Sequence, residues 1–410
     1  MSTLNVRLLY TLAWRNVWRN HRRTFVILVA IAFGIWSMVT LAAIMRGMIE
    51  QQVRNVINNL TGHIQVHAVG YRDDPVVDNS MPPPGPHMVE VLRGEHVRAW
   101  STRVRVPAVV ASERESAGVT LVGIDPEAEQ GLSFIAEAVT EGRYLESSGD
   151  CGVLLGRKLV ERLETSLGKR VVLMSQDVDN EIADRGFRVV GVFDANMEAT
   201  ETGYVFTGRS VAQEMLRLGE NISELALVAR DRQDLGAVLQ LLVRVAPGLD
   251  IQPWTKLEPL LVLTVKMYEA TMLIWFVVVF LAMSFGLVNT LLMAVFERTR
   301  EIGLFQALGM RPGFLLSQVL LESLTVLMIG LVMGNVLAWA TIASLADGLN
   351  LSAFAEGLEW AGISSVIYPL ISASDVISAN LLVLVLGIVA SLYPAWRAAR
   401  RVPVEAITRI

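Results

Sequence analysis

Few residues in this sequence have types and spacing that could do chemistry, and most of them argue against an active site. His63 and His67 stand four apart, the interval that on a helix turns two imidazoles toward one metal ion. Ile64 and Val66 alternate with them, so the pair reads as part of a strand that supplies no further ligand. Gly168-Lys169-Arg170 is the nearest approach to a phosphate-binding loop, and it lacks both the leading glycine and the closing hydroxyl. The sequence has no His-Glu-x-x-His pair, no paired cysteines and no nucleophile elbow. We therefore assign no catalytic residue, no metal ligand and no cofactor to this chain, and expect it not to hydrolyse ATP by itself.

One ionisable residue stands out by its surroundings. Glu322 lies well inside the apolar run that follows Arg311. A charge at mid-membrane costs about 2.5 to 3.5 kcal/mol on insertion scales, so such residues face other helices or water. Glu322 is either an intramembrane polar site or a residue near the cytoplasmic interface that water reaches. In the same segment, Gly330-x-x-x-Gly334 permits close backbone contact between helices.

These residues matter in this way only if the segments around them cross a membrane. Of 410 residues, 53% are hydrophobic and 18% charged, with a mean hydropathy of +0.47, too apolar for an ordinary soluble enzyme. The excess sits in four charge-free stretches, Thr24–Met45, Ala270–Phe296, Ser323–Ala346 and Val376–Trp396. Each reaches the ~20 residues that a helix rising ~1.5 Å per residue needs to cross a ~30 Å hydrocarbon core. Buried core helices of soluble proteins are shorter and amphipathic. The first stretch is also too long for a cleaved secretory signal.

Charge placement sets the topology. Arg7, Arg15, Arg19, Arg22 and Arg23 precede the first span with no acidic residue among them, and Arg397, Arg400, Arg401 and Arg409 follow the last. Arg298, Arg300 and Arg311 lie between the second and third spans, whereas the Asp347–Asp375 loop has four acidic residues and no Lys or Arg. The positive-inside rule places both termini and the middle loop in the cytoplasm. The expected order is a cytoplasmic amphipathic helix at 1–23 and spans at 24–45, 270–296, 312–346 and 376–396. An extracytoplasmic domain with stalks fills 46–269, a cytoplasmic segment 297–311, an extracytoplasmic loop 347–375 and a cytoplasmic tail 397–410. The single cysteine, Cys151, falls in the exported domain, so no internal disulfide holds it. At roughly 220 residues that domain can build its own core.

The leader mixes Leu and Trp with Arg, as a helix lying in the membrane interface does, although a solvated basic leader has the same composition. Beyond Met45 the apolar spacing continues through Met48, Ile49, Val53, Val56, Ile57 and Leu60, so the first helix is expected to project as a stalk. A matching stalk is expected to start at Thr255-Lys-Leu-Glu258, a capping-box pattern, and to run through Leu260, Leu261, Val265 and Tyr268. Between them the text reads as mixed α and β. Strands are expected at 63–67, 104–111, 119–123, 171–174 and 187–192, helices near 156–167, 210–218 and 234–245, and a loop or hinge at the proline-rich 81–86. The fold class is therefore membrane α+β: four transmembrane helices and a large mixed α/β extracytoplasmic domain between the first and second.

Two stretches are more specific. Glu297-Arg-Thr-Arg-Glu-Ile-Gly-Leu-Phe-Gln-Ala-Leu-Gly-Met310 resembles the short cytoplasmic helix of the MacB/FtsX-type ABC transporter permeases. The close, Ser391-Leu-Tyr-Pro-Ala-Trp-Arg-Ala-Ala-Arg-Arg-Val-Pro-Val-Glu-Ala406, is similar to the ending of that family. Gly142-Arg-Tyr-Leu145, Gly152–Leu159 and Phe187–Phe193 also look like family signatures, and Gly62-His-Ile-Gln-Val-His67 resembles the lipoprotein-releasing branch, LolC and LolE. Gly168-Lys169-Arg170 departs from the Gly-Asp more usual at that turn.

The resemblance implies a permease without nucleotide-binding parts, working with two copies of a cytoplasmic ABC ATPase that binds ATP and Mg, and with a second permease chain, identical or homologous. Membrane lipids and a periplasmic lipoprotein carrier or adaptor are further implied partners, and nucleic acid is not. The coupling segment would be Glu297, Arg298, Arg300, Glu301, Ile302, Gly303, Leu304, Ala307, Leu308 and Gly309, with ion pairs on one face and apolar contacts on the other; a solvated connector held by its own i, i+4 pairs is the plainer reading. Mechanotransmission, in which ATPase closure moves the exported domain, is the implied mechanism, serving lipoprotein release or export of an amphipathic cargo. Control of a periplasmic cell-wall hydrolase and a membrane-anchored sensor or scaffold remain as alternatives.

Overall fold

Where apolar residues can be buried decides the architecture. A computed structural model describes residues 11, 13–195, 197–297, 304, 312–351 and 366–399. The described residues form two compact units, one built on those up to Glu50 and those from Thr264 onward, the other on those between Gln51 and Leu263.

The first unit contains four helices long and apolar enough to cross a membrane, α1 (His21–Val56), α2 (Pro259–Glu297), α3 (Pro312–Ser344) and α4 (Ala373–Ala399). In hydrocarbon every backbone N–H and C=O must be satisfied within the segment, which leaves helix as the stable choice for such runs. Pro259 and Pro312 open α2 and α3, where a missing N–H costs nothing. Ile31, Ile35 and Met38 of α1 are fully buried against Phe280 and Met283 of α2, Leu327 of α3 and Val383 of α4. Phe285, Val332 and Trp339 point outward and stay exposed, as side chains that meet lipid do. With 36 and 39 residues, α1 and α2 are about 54 and 58 Å long, well beyond a hydrocarbon core.

The second unit is a ten-stranded mixed sheet with helices on it. Its strands are β1 (Ile64–His67), β2 (Val97–Ala111), β3 (Ser116–Ile124), β4 (Val139–Gly142) and β5 (Gly152–Gly156). They continue as β6 (Arg170–Gln176), β7 (Ile182–Phe193), β8 (Tyr204–Gly208), β9 (Glu224–Ala229) and β10 (Asp250–Pro253). The order is β10-β1-β9-β2-β3-β8-β5-β7-β4, with β6 against β2 and β7.

A helix at Pro86–Leu92 links β1 to β2, and one at Leu235–Val245 links β9 to β10. With the order β10-β1-β9-β2, these form a split β-α-β layer of the ferredoxin-like kind. Met88, Leu92, Val238 and Leu242 cover Ile64, Val66, Leu225 and Leu227. The strands from β3 to β8 are inserted between β2 and β9 and hold a second core around Val106, Leu121, Val153, Leu173 and Phe187. The two halves share β2. Its residues 97–103 pair with β9, ending at Arg103↔Glu224, and from Val104↔Gly123 it pairs with β3.

The expected strands at 104–111, 119–123, 171–174 and 187–192 fall within β2, β3, β6 and β7, the one at 63–67 starts a residue later as β1, and β2 is longer than expected. The start of the second stalk differs. Thr255 lies inside a short helix, Trp254–Leu257, without a side-chain cap, and a new helix begins at Pro259. Proline excludes the residue before it from helical geometry, and Glu258 accordingly has φ −120° and ψ 68°.

Candidate functional site

The polar side chains of the helical unit meet between helices. Asn16, in a helical stretch at residues 13–19, donates from Nδ2 to Glu322 Oε1 of α3 at 2.5 Å, and Gln318 Nε2 lies 3.5 Å from the same oxygen. Glu322 therefore faces the leader and not open lipid. Gly330 and Gly334 face α1. A Cβ at Gly330 would lie 2.5 Å from Ile31 Cγ2, and one at Gly334 would lie 2.7 Å from the Ala32 carbonyl oxygen. Asn335 of α3 and Asn380 of α4 exchange amide hydrogen bonds, and Trp36 Nε1 donates to Thr341 Oγ1 at 2.9 Å.

The stretch 368–375, which leads into and opens α4, meets α1 through contacts that the sequence alone conceals. Arg46 forms a two-nitrogen fork on Asp375, with Nη2 to Oδ1 at 2.7 Å. The adjacent Gly47 is packed so tightly that a Cβ there would lie 2.0 Å from the Tyr368 carbonyl oxygen. Leu370 N–H donates to the Ala43 carbonyl at 2.9 Å.

Of the coupling segment, Glu297 ends α2 and accepts from Arg23 Nη1 at 2.8 Å. Leu304 is helical and exposed. Arg298, Arg300, Glu301, Ile302, Gly303, Ala307, Leu308 and Gly309 lie outside the described residues.

The sheet unit carries its polar centre where the chain enters it from α1. That helix continues as one wider turn, Ile57–Thr61, and Leu60 there has φ 151° and ψ −23°. Its side chain is 4% exposed and packs with Phe193 and Phe206. Arg103 of β2 is 0% exposed and donates from Nη1 to the Leu60 carbonyl at 2.6 Å. The same guanidinium forks onto Glu129, Nε to Oε1 at 2.7 Å and Nη2 to Oε2 at 3.0 Å, and reaches Glu224 Oε1 at 2.8 Å. Burial disfavours this charge, but the two carboxylates outweigh that and raise the Arg103 pKa. Burial likewise pushes the Glu224 carboxyl up, and the Arg105 and Arg103 charges more than reverse it, holding Glu224 below the ordinary carboxylate range.

Further bonds extend the network. Ser133 Oγ donates to Glu129 at 2.7 Å, Arg105 reaches Tyr204 OH at 3.0 Å, and Gln65 bridges the Leu60 carbonyl to His67 Nε2. Beside it opens a cavity of about 530 Å³ lined by Leu60, His67, Tyr71, Arg105, Tyr204 and Leu257 among others. His63 accepts the Ala229 N–H at Nδ1, and among the described residues no three His, Cys, Asp or Glu side chains form a metal-holding group.

The chain leaves where it entered. β1 and β10 pair antiparallel with Ile64 opposite Pro253, and Trp254 N–H donates to the His63 carbonyl at 2.9 Å. The end of α1 and the start of the stretch leading to α2 are thus rooted on neighbouring strands. This arrangement can hold and orient the two connections.

Residues 24–251, more than half of the chain, match the MacB-like periplasmic core domain family, and residues 273–403 match the FtsX-like permease C-terminal family. The lipoprotein-releasing system transmembrane protein LolC of Xylella fastidiosa is 24% identical over 397 residues, spanning 93% of this chain and 92% of that protein. The pyoverdine export ATP-binding/permease protein PvdT of Pseudomonas syringae pv. tomato is 25% identical, spanning 97% of this chain and 58% of that protein. Among solved structures, the periplasmic region of MacB from Actinobacillus actinomycetemcomitans covers 51% of this chain and 96% of its own, at 14% identity and a TM-score of 0.35. Members of the family work with a cytoplasmic ABC ATPase. The chain belongs to the MacB/FtsX-type permeases of bacterial inner-membrane ABC transporters, with transmembrane helices and a MacB-like periplasmic domain.

Proposed function

We propose that this permease works by mechanotransmission: ATP hydrolysis in a separate cytoplasmic ATPase moves the periplasmic domain, and no substrate crosses a membrane pore. The observation that carries the reading is the rooting of both stalk connections on the paired strands β1 and β10, beside a buried polar centre that fixes the end of α1. Two permease chains act with two ATPase copies, which bind the ATP and Mg. Both termini are cytoplasmic, and residues 297–311 dock into the ATPase. Lipoprotein release is the preferred cargo process, because relatives named for it align with 93% of the chain; export of another amphipathic cargo fits the same movement.

Charge reversal of Arg298 together with Glu301, R298E/E301R, tests the input. ATPase association and its stimulated hydrolysis should both fall, and if neither changes in detergent-purified complexes the coupling assignment is wrong. Crosslinking of lipidated cargo to the periplasmic domain tests the output. Capture of a cell-wall hydrolase without lipidated cargo would move the assignment to hydrolase control.

A further inference from the structure

A leucine at φ 151° is strained, because a side chain on Cβ fits poorly in a region that glycine favours; such backbone persists only where its surroundings over-determine it. At Leu60 three things hold it. The side chain is buried among aromatic rings, the carbonyl is gripped by a fully buried guanidinium at 2.6 Å, and Gln65 Nε2 reaches the same carbonyl at a longer 3.4 Å. Arg103 in turn is fixed from three directions. Glu129 holds it by a two-bond fork, Glu224 sits opposite it on β9, and β2 is anchored there on both sides as it passes from one half of the sheet to the other. The stretch after Glu129 returns to the same turn, with Phe134 N–H donating to the Asn58 carbonyl at 2.9 Å.

Stability alone does not account for so many buried charges. Replacing a buried ion cluster with well-packed apolar groups is often neutral or stabilising, whereas a donor to a main-chain carbonyl in a defined place has no apolar substitute. We propose that Arg103 is a positioning residue for the stalk, locking Leu60 in its strained conformation and thereby setting the direction in which residues 51–61 leave the sheet. The inference rests on the mechanotransmission reading for its purpose: a stalk that swivelled at Leu60 would absorb motion instead of passing it on. Released from Arg103, Leu60 relaxes toward an ordinary backbone region and the turn Ile57–Thr61 becomes a swivel.

Cys151 is the one cysteine of the chain and is exposed, so a spin label there paired with one at Arg54→Cys reads the joint within a single unit. Full-length chain assembled with its ATPase in lipid nanodiscs should give one narrow distance distribution without nucleotide. R103M/E129Q removes one charge of each sign and leaves Arg105 paired with Glu224; the narrow peak should broaden, and ATP should shift the 54–151 distance in this variant but not in the parent, whose locked joint moves as one body. R103K keeps the charge but not the fork and should restore part of the narrow peak; if the double variant does not assemble, R103K alone decides by broadening or not. An unchanged peak in the variant that assembles overturns the proposal, as does a parent whose 54–151 distance shifts with ATP as much as the variant's. If ATP changes nothing in the crosslinking of lipidated cargo to the parent's periplasmic domain, mechanotransmission fails, while the nucleotide-free peak widths still decide what Arg103 does at the joint.

Discussion

Asn335 Nδ2 donates to Asn380 Oδ1 at 2.7 Å, and Asn380 Nδ2 donates back to Asn335 Oδ1 at 3.1 Å, so α3 and α4 are joined by a closed amide pair inside an apolar bundle. Each amide also reaches a carbonyl of its own helix, Leu331 or Val376, which leaves little unsatisfied. Either asparagine alone would keep the bond to its own helix but lose the donor to its amide oxygen.

The pair should therefore behave as a unit. N335L and N380L should each lower the stability of the detergent-solubilised chain, and the double variant should cost less than their sum. Interhelical hydrogen bonds in membranes average ~0.6 kcal/mol and reach ~1.7 kcal/mol, which sets the coupling expected in a double-mutant cycle of thermal unfolding. Additive losses would show that the two side chains do not act together.

Gly47 predicts a sharper effect. Its missing Cβ makes room for the Tyr368 carbonyl oxygen, which is backbone and cannot rotate away. G47A should reduce the thermal midpoint by the equivalent of about 1 to 3 kcal/mol, the usual cost of overpacking. G286A in α2 is the control, since a Cβ there meets nothing within 4 Å, and helix propensity alone favours it by up to ~1 kcal/mol. Equal midpoints for the two variants would refute the close approach.

His67 predicts a pH dependence. Burial pushes its imidazole below the ordinary value of 6.5, and the Glu224 charge and the Ser223 carbonyl offset only part of this. The unfolded chain then holds the proton at pH values where the folded chain does not, so stability rises with pH in that window. The full contribution is present above 6.5 and is lost as pH falls from there toward the folded pKa. The thermal midpoint of the parent should drop on acidification from about pH 7 to about pH 5.5, and H67Q should flatten that slope. A parent that gains stability over the same interval would mean that a cationic His67 bridges the Ser223 carbonyl and Gln65 Oε1, the two oxygens its ring nitrogens face.

The transmembrane helices were legible because twenty uncharged residues in a row have few alternatives to a spanning helix. Strands with one solvated face, such as β6 and β7, announced themselves by alternation, whereas β9, Glu224–Ala229, is buried at every position and has no alternation to read. Arg103 was hidden for a related reason. It alternates with Val104 in β2, the pattern of a residue pointing to water, and its partners lie 26 and 121 residues away. Arg46 and Asp375 are separated by 329 residues, and nothing local to either marks the pair. The capping-box pattern at Thr255 misled because Pro259, four residues on, dictates where the helix can begin.

The ladder between β1 and β10 has a mechanical consequence. Both chain connections lie at the same end of it, where Ile64 faces Pro253 and β10 is the outermost strand. Forces that draw the two connections apart load its hydrogen bonds one at a time, beginning at that pair, and peel β10 away. Forces applied to both in the same direction leave the ladder unstrained and carry the whole sheet as one body. The domain therefore tolerates a common stroke far better than a spreading one.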